Sequence, residues 1–539
     1  MKQVVIENPI LNSPFSEPSR HFRFTDEGIT NEIIQERRVS SYFIPIARPR
    51  KQVKNQLTFD TEWTEDRIEE NKFINQVRER VAQWRKQGYP FSSLTKTTKL
   101  LLDYWQRDDR ARRLFFCQIE AVETAIYITE VAKKYGDAWI ENKINAANLE
   151  ANPLLFRIAL KMATGSGKTV VMAMIIAWHA LNKIANSQDP LFSDSFLIVT
   201  PGITIRDRLR VLLPNDPQNY YRAMDIVPPD LIEQLGKAKI IITNFHAFRH
   251  REKIAAGKLT KSILSKGNGS AFTETPDQMV RRVCRDLGNK KNIIVINDES
   301  HHCYRRKADG EEEVLKGDER KEAEKREEEA RIWISGLEAV KAKLGLKVVY
   351  DLSATPFFLR GSGYPEGTLF PWVVADFSLI DAIEAGIVKV PRVPVADDSM
   401  VGKQPTYRDL WLRIREHLPK KGRKTQALKG EPNLPAELEG ALQSLYLNYE
   451  KYFRKWEQNT EARSRGLTPP VFIVVCNNTN VSKMVYDYVA GWEKKLSEEE
   501  SIVVPGKLSL FSNEEDGKWS ARPNTILVDS QQLESGEAM

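Results

Sequence analysis

The stretch KMATGSGKTV, residues 161–170, lies between an apolar run that ends at Met162 and a second apolar run, VVMAMIIAWHAL, that begins at Val170. The first run predicts a buried strand and the second predicts a helix. Gly165 and Gly167 allow the backbone between them to curl so that several N–H groups point at one anion, and the helix N-terminus adds partial positive charge. The sequence therefore predicts a phosphate-binding loop.

The side chains of this loop suggest a nucleoside triphosphate as the ligand. We expect Lys168 to reach the β- and γ-phosphates and the Thr169 hydroxyl to ligate Mg²⁺. Met162 stands where the strict pattern has its first glycine, and a chance glycine-rich turn is the alternative interpretation. The remaining residues of the loop would surround the phosphates: Thr164, Gly165, Ser166 and Gly167.

A second motif, NIIVINDESHH at residues 292–302, supplies the acidic groups that such a loop needs. The apolar run 293–296 predicts a buried strand, and Asp298 falls at its C-terminal end, where α/β sheets place their ligands. Asp298 could hold Mg²⁺ through water, and Glu299 could orient or deprotonate the attacking water. His301 would then sense the nucleotide state.

The neighbouring residues His301, His302 and Cys303 also allow a metal site. Consecutive residues rarely converge on one ion, and no further ligands lie nearby in the sequence, so we disfavour this alternative. The chain has four cysteines, widely spaced and without a CxxC pair, which argues against disulfides or structural zinc and for a reducing, cytoplasmic setting.

The pattern around these motifs predicts an α/β fold. Between residues 154 and 354, short runs rich in Ile and Val alternate with helical patterns, which is typical of parallel strands buried on both faces. The candidate strands are LLFRIALKM, SFLIVT, KIIITN, NIIVIND and KVVYDLSA. Residues 60–129 show helical periodicity, and the charged run 310–331 predicts an exposed helix to which we assign no chemistry.

The two ends of the chain are less regular. Residues 1–60 read as an extended arm on a neighbouring domain or, about equally, as a solvated tail. A connector rich in Lys, Pro and Gly follows residue 389, and a helical stretch covers 437–457. A second α/β unit then begins with the predicted strand VFIVVCNN and a helix, and one more strand, NTILVDS, is expected.

Composition sets broad limits on function. The chain has 539 residues, 41% hydrophobic and 28% charged, with a net charge of +7. No run of about 18 apolar residues or secretory signal occurs, so we expect no membrane partner. The mildly basic charge is compatible with nucleic acid but does not require it.

The order of ATGSGKT, LIVTPGITI, IITNFHAF, DESH and LSATP resembles motifs I, Ia, Ib, II and III of superfamily 2 helicases of the DEAD/DEAH type, over residues 110–380. RRLFFCQIEAVETAIY resembles their adenine-reading motif, with Gln118 as its glutamine. The closest likeness is to the helicase (Res) subunit of type III restriction enzymes. It is carried by LFFCQIEAVETAIY, HLPKKGRK, VFIVVCNNT and ILVDSQQLESGE.

This resemblance implies an ATP hydrolase that uses ATP and Mg²⁺ and acts on double-stranded DNA in a restriction or defence system. It implies contacts with the nucleic-acid backbone, which carry no sequence information, from two strand ends. It also implies side-chain hydroxyl groups that couple the state of the bound nucleotide to those backbone contacts. The residues expected to contact the nucleic-acid backbone are Pro201, Gly202, Thr243 and Asn244, and those expected to provide the coupling are Ser353 and Thr355. Taken alone, each of these three motifs is typical of an ordinary turn.

The resemblance also implies a domain layout. We expect an arm and helical accessory region at 1–109, a RecA-like domain at 110–389, and a connector with a partial second RecA-like domain at 390–539. Motif VI, whose arginine acts on the transition state, and an endonuclease cluster are not recognised. We therefore expect either that the chain is a fragment or that a partner chain completes the site. A modification or specificity subunit is a further expected partner. The alternative function is an ATP-gated nucleic-acid-binding module without motor activity.

Overall fold

The computed structural model describes residues 6, 8–25, 28–43, 68–251, 273–307, 318–359, 361–390, 407, 410–419, 431–495 and 501–528. Two compact units divide the chain, Met1–Val390 and Pro391–Met539. All residues of the phosphate-binding loop and of the acidic motif lie in the first unit.

An arm at the start of the first unit packs against the rest of that unit. It contains two antiparallel pairs, β1 (His21–Thr25) with β2 (Gly28–Ile34) and β3 (Ser41–Phe43) with β4 (Ile68–Glu70). The backbone N–H of Phe22 donates to Glu384 Oε1 at 3.1 Å, and Arg38 forms an ion pair with the same carboxylate at 2.5 Å. The lack of regular structure expected for residues 1–60 is thus wrong for β1, β2 and β3, and β4 lies in the range predicted as helical. The described residues favour an arm over a solvated tail. Of the basic stretch RRVSSYFIPIARPRKQVK (37–54), residues 44–54 lie outside the described residues.

Four helices follow the arm, and the first three confirm the helical periodicity predicted for residues 60–129, whereas the fourth lies beyond that range. They are α1 (Lys72–Lys86), α2 (Lys96–Trp105), α3 (Phe116–Ile126) and α4 (Ala138–Ala151). The buried face of α1 has the expected spacing of three and four residues: Ile74, Val77, Val81 and Trp84. The helix α3 continues as a π-helical turn over Tyr127–Val131, which the sequence did not predict.

A sheet of parallel strands lies at the centre of the first unit. Its strands are β5 (Arg157–Met162), β6 (Ser195–Thr200), β7 (Lys239–Asn244), β8 (Ile293–Asp298), β9 (Leu346–Ser353) and β10 (Val373–Phe377). Their order across the sheet is β10-β5-β9-β8-β6-β7. The five expected strands and the α/β class are confirmed. The strand β10 was missed because proline and aromatic residues precede it and an aspartate interrupts its apolar run.

Helices cover both faces of this sheet. Along β8, Ile294 and Ile296 belong to the core that contains the helix after the phosphate-binding loop, whereas Ile293 and Val295 belong to the core on the other face, with Trp333. This alternation places β8 in the middle of the layers. The helices are α5 (Lys168–Ala185), α6 (Ile203–Arg208), α7 (Tyr220–Ala223), α8 (Ile232–Leu235), α9 (Pro276–Val283), α10 (Asp318–Leu344) and α11 (Leu379–Glu384).

The described part of the charged stretch predicted as an exposed helix, residues 318–331, forms the first half of α10, and residues 310–317 lie outside the described residues. Its side chains make the expected i,i+4 ion pairs, Arg320 with Glu324 and Lys325 with Glu329. Beyond residue 331 the helix changes character and buries an apolar face against the sheet. That face consists of Trp333, Ile334, Leu337 and Val340.

The second unit has a small core between helices. Its helices are α12 (Leu410–Ile414), α13 (Ala436–Gln458), α14 (Thr460–Ser464) and α15 (Thr479–Ala490). Its described strands form two antiparallel pairs, β11 (Gly491–Lys495) with β12 (Ser501–Pro505) and β13 (Glu514–Glu515) with β14 (Lys518–Trp519). The predicted helices at 437–457 and after residue 478 are confirmed.

The strand predicted for VFIVVCNN, residues 471–478, is wrong. This stretch has no regular secondary structure and pairs with no described strand, and Val471, Ile473 and Val475 are 75%, 78% and 90% exposed. An all-apolar run predicts a strand buried on both faces, but a strand also needs hydrogen-bonded neighbours, which a local pattern does not supply. The described part of NTILVDS, residues 524–528, likewise forms no strand.

Candidate nucleotide-binding site

The phosphate-binding loop connects β5 to α5, as predicted. Gly165 and Gly167 have left-handed backbones, with φ of 86° and 87°, and Gly167 precedes the first residue of α5. The Ser166 hydroxyl donates to the carbonyl of Ala163 at 2.7 Å, which closes the turn from inside. The loop therefore has the curled backbone that an anion site at a helix N-terminus requires.

Gln118, on α3, supports this loop from the side. Its Nε2 donates to the Ser166 carbonyl at 3.0 Å, while its Oε1 accepts from the backbone N–H of Phe115 at 3.0 Å. A Cβ added at Gly167 would lie 2.1 Å from that Nε2. The amide that we expected to read adenine thus has both its ends bonded within the protein, and it fixes the loop.

The acidic motif lies beside the loop cation. Lys168 Nζ is 3.3 Å from Glu299 Oε1, and Glu299 has a left-handed backbone, with φ of 48°. Burial, followed by the charge of Glu299, raises the pKa of Asp298 to about 6. The Asp298 carboxylate and the Thr169 hydroxyl are hard oxygen donors of the kind that Mg²⁺ prefers, so their chemistry fits the ion. Asp298 and Thr169 are the residues that would hold it.

The residues after Glu299 connect this motif to the end of β9. His301 Nδ1 is 2.9 Å from the Ser353 hydroxyl, which also accepts from the backbone N–H of Thr355 at 3.1 Å. Burial, then the charges of His302 and Lys168, lower the pKa of His301 to about 4, so its ring is neutral at pH 7. A hydrogen bond therefore joins the two predicted motifs directly.

The alternative metal site at His301, His302 and Cys303 finds no support. The rings of His301 and His302 lie against each other with centroids 4.1 Å apart, whereas Cys303 is fully buried beside Arg157. Within the described residues, no group of three or more His, Cys, Asp or Glu side chains could hold a metal ion.

The four residues expected to contact nucleic acid lie at two adjacent strand ends. Thr200 pairs in register with Asn244, so Pro201 and Gly202 follow β6 beside the end of β7. The Thr200 hydroxyl donates to the carbonyl of Gly202 at 2.9 Å. The Asn244 side chain accepts from the backbone N–H of Ala247 at 3.3 Å and begins the turn of 3₁₀-helix Phe245–Phe248. This group lies on the same carboxyl edge of the sheet as Asp298.

Residues 113–358 match the family model described as type III restriction enzyme, res subunit. This region is a helicase-family domain of the Res type. The predicted resemblance is thereby confirmed, and the sheet of this Res-type domain is that of a RecA-like P-loop fold. The match supports a helicase-like, ATP-dependent motor of the type III restriction family. No curated protein matches the chain.

Other features of the Res-type domain were not visible in the sequence. A Cβ at Gly165 would lie 3.3 Å from a methyl group of Val388, which shows that the segment after α11 packs on the loop. No local pattern could indicate this contact, because the two residues are far apart in the chain.

Among the helices of the described residues, none is long and apolar enough to cross a membrane.

Proposed function

We propose that the Res-type domain binds Mg·ATP at the loop 162–169 and uses ATP hydrolysis to drive movement along double-stranded DNA. The observation that carries the proposal is the group of functional side chains at one edge of the sheet. There Lys168 contacts Glu299, and His301 contacts Ser353. The group lies inside the region that matches the helicase family.

Each side chain of the group has a distinct task. Lys168 binds the β- and γ-phosphates, and backbone amides of the loop bind the remaining phosphate oxygens. Mg²⁺, held by Thr169 and Asp298, would neutralise charge that develops on the phosphates. Glu299 orients the attacking water and accepts its proton. His301 then transmits the state of the site to Ser353 through their hydrogen bond.

The DNA part of the proposal depends on the second group of strand ends. Pro201, Gly202, Thr243 and Asn244 present turns at which backbone amides and short polar side chains can meet phosphates. Such contacts act on the DNA backbone and leave the base sequence unread. The basic stretch PKKGRK at 419–424, which would also attract phosphates, lies outside the described residues except for Pro419.

Titration of DNA duplexes of unrelated sequence, at several salt concentrations, tests the proposal. Backbone binding predicts a steep fall in affinity with salt and nearly equal affinities for the different duplexes. The same titration with RNA duplexes identifies the preferred nucleic acid. Salt-independent binding, or strong preference for one sequence, would contradict the proposal. ATP turnover that DNA leaves unchanged would instead favour a nucleotide-gated binding module.

A further inference from the structure

Trp333 contacts both the turn that follows β7 and the end of β8. It is fully buried on α10, and its ring stacks on Phe245 with centroids 5.4 Å apart and an interplanar angle of 3°. Its indole Nε1 donates to Asn297 Oδ1 at 3.1 Å. One side chain of α10 thus contacts the residue after Asn244 and the residue before Asp298.

The first of these contacts fixes the turn that follows β7. Phe245 and Phe248 of this turn are both buried. Phe248 packs so closely on α10 that a Cβ added at Gly336 would lie 2.3 Å from its ring. The turn 243–248 therefore cannot shift without moving Trp333 or α10, because a closely packed interior transmits displacement.

The second contact, with Asn297, connects Trp333 to β8 and β9, the strands whose ends carry Asp298 and Ser353. Asn297 uses its Nδ2 to donate to Asp351 Oδ1 at 2.8 Å, and Asp351 lies on β9 two residues before Ser353. The other oxygen of Asp351 accepts from Arg157 at 2.7 Å and from Trp372 at 2.9 Å. Asn297 and Asp351 are both fully buried, so a lost hydrogen bond here is not replaced by bulk water.

We propose that Trp333 is a positioning residue that couples the turn 243–248 to the strand ends carrying Asp298 and Ser353. The proposal rests on the proposed function, since it takes that turn as a nucleic-acid contact. Binding of DNA at the turn would move Phe245, and through Trp333 and Asn297 it would change the affinity of the phosphate-binding loop for ATP. By linkage, ATP would change DNA affinity by the same factor.

The test measures this factor at equilibrium, so it needs no turnover. A non-hydrolysable ATP analogue with Mg²⁺ is titrated into the full chain with and without a short DNA duplex, and the duplex is titrated with and without the analogue. The variants are Trp333→Phe, which removes the N–H donor, and Phe245→Leu, which removes the stacked ring. The matched control is Trp372→Phe, which also removes a buried N–H donor to this network but leaves the contact with Phe245 intact.

We expect a coupling factor of at least about fivefold in the wild type and in Trp372→Phe, and below about twofold in Trp333→Phe and Phe245→Leu. Circular dichroism melts identify any variant that fails to fold, and the other variant then decides. Unchanged coupling in the folded Trp333→Phe or Phe245→Leu chain overturns the inference, as does equal loss in Trp372→Phe or a wild type that binds both ligands without coupling. A wild type that binds neither ligand refutes the proposed function itself.

Discussion

Lys168 and Glu299 form an ion pair, with Nζ 3.3 Å from Oε1, although they follow different strands, β5 and β8, which β9 separates. Glu299 has a left-handed backbone, which is uncommon for a residue other than glycine and costs free energy. The proposed cation for the phosphates and the proposed base for water therefore contact each other. A change at either residue should be felt at the other.

Removing the cation should weaken nucleotide binding. We expect Lys168→Ala to raise the dissociation constant for Mg·ATP at least about tenfold, since a charge-assisted contact with the phosphates is lost. Lys183→Ala, in the last turn of the same helix, is the control, because Lys183 Nζ bonds the backbone carbonyl of Asp189 instead. Calorimetric titration measures both variants, and an unchanged affinity in Lys168→Ala would exclude the loop as the phosphate site.

Glu299→Gln should separate binding from hydrolysis. The amide cannot take a proton from water, so we expect the rate of ATP hydrolysis to fall on the order of 10²–10⁴-fold. Nucleotide affinity should stay equal or increase, because the carboxylate that pairs with Lys168 is gone. Phosphate release in a single turnover measures the rate, with Glu329→Gln on α10 as the control. Hydrolysis at the wild-type rate in Glu299→Gln would remove this residue from the mechanism.

Two glycines allow the effect of the contact between Gln118 and the loop to be separated from the effect of backbone strain. Gly167 and Gly88 both have positive φ, so alanine at either position costs roughly 1–2 kcal/mol. Only at Gly167 would the new Cβ also meet a neighbour, Gln118 Nε2 at 2.1 Å, whereas Gly88 has nothing within 4 Å. Gly167→Ala should therefore weaken ATP binding, and Gly88→Ala should lower the melting temperature without doing so. Equal ATP affinities in the two variants would show that Gln118 does not shape the loop.

Sequence was sufficient for the parts of the fold that local pattern determines. The strands β5 to β9 have apolar runs of normal length, and the loop and acidic motif follow two of them at the edge where ligands bind. The strand β10 and the unpaired stretch 471–476 mark the limit. Whether such runs pair depends on which neighbours the tertiary fold provides.

The candidate site shows the same division. Residue types and their order indicated Lys168, Asp298 and Glu299, because phosphate and water chemistry needs a cation and carboxylates at strand ends. Nothing in the sequence indicated that Gln118 would use both ends of its amide within the protein, or that Trp333 would contact Asn297. These contacts join residues that are distant in the chain, so no local spacing reveals them.

A buried ion pair between the arm and α3 should make stability depend on pH. Arg37 binds both oxygens of Glu120, at 2.7 and 2.5 Å, and Arg85 approaches the same carboxylate. Burial alone would raise the pKa of Glu120, but Arg37, Arg78 and Arg85 lower it to about 2. Because the folded pKa is lowered, the ionised carboxylate stabilises the fold above its unfolded pKa of about 4.3, and this stabilisation is lost as pH falls towards 2.

Glu120→Gln should reveal this contribution. We expect the variant to lose roughly 1.5–3 kcal/mol of stability at pH 7, because Arg37 loses its charge-assisted hydrogen bonds to this carboxylate and keeps the more exposed Glu17 as its ion-pair partner. The loss should shrink between about pH 4 and pH 2, where the wild type forfeits the same stabilisation. Urea unfolding at a series of pH values measures it, and Glu141→Gln, which breaks a more exposed pair with Lys133, is the control. A loss that does not change with pH would show that Glu120 is not ionised in the folded chain.

The unpaired stretch 471–476 offers a test of the corrected strand prediction. Val475 is 90% exposed, whereas Val485, on α15 in the core of the same unit, is 5% exposed. Val475→Lys should change the free energy of unfolding by less than about 0.5 kcal/mol, since it removes no buried contact, and should reduce aggregation by interrupting an exposed apolar run. Val485→Lys should destabilise the chain strongly, because a charge would enter the core. Thermal melts and light scattering measure both. Equal destabilisation by the two variants would mean that Val475 is covered in solution, and that the strand expected from its sequence forms after all.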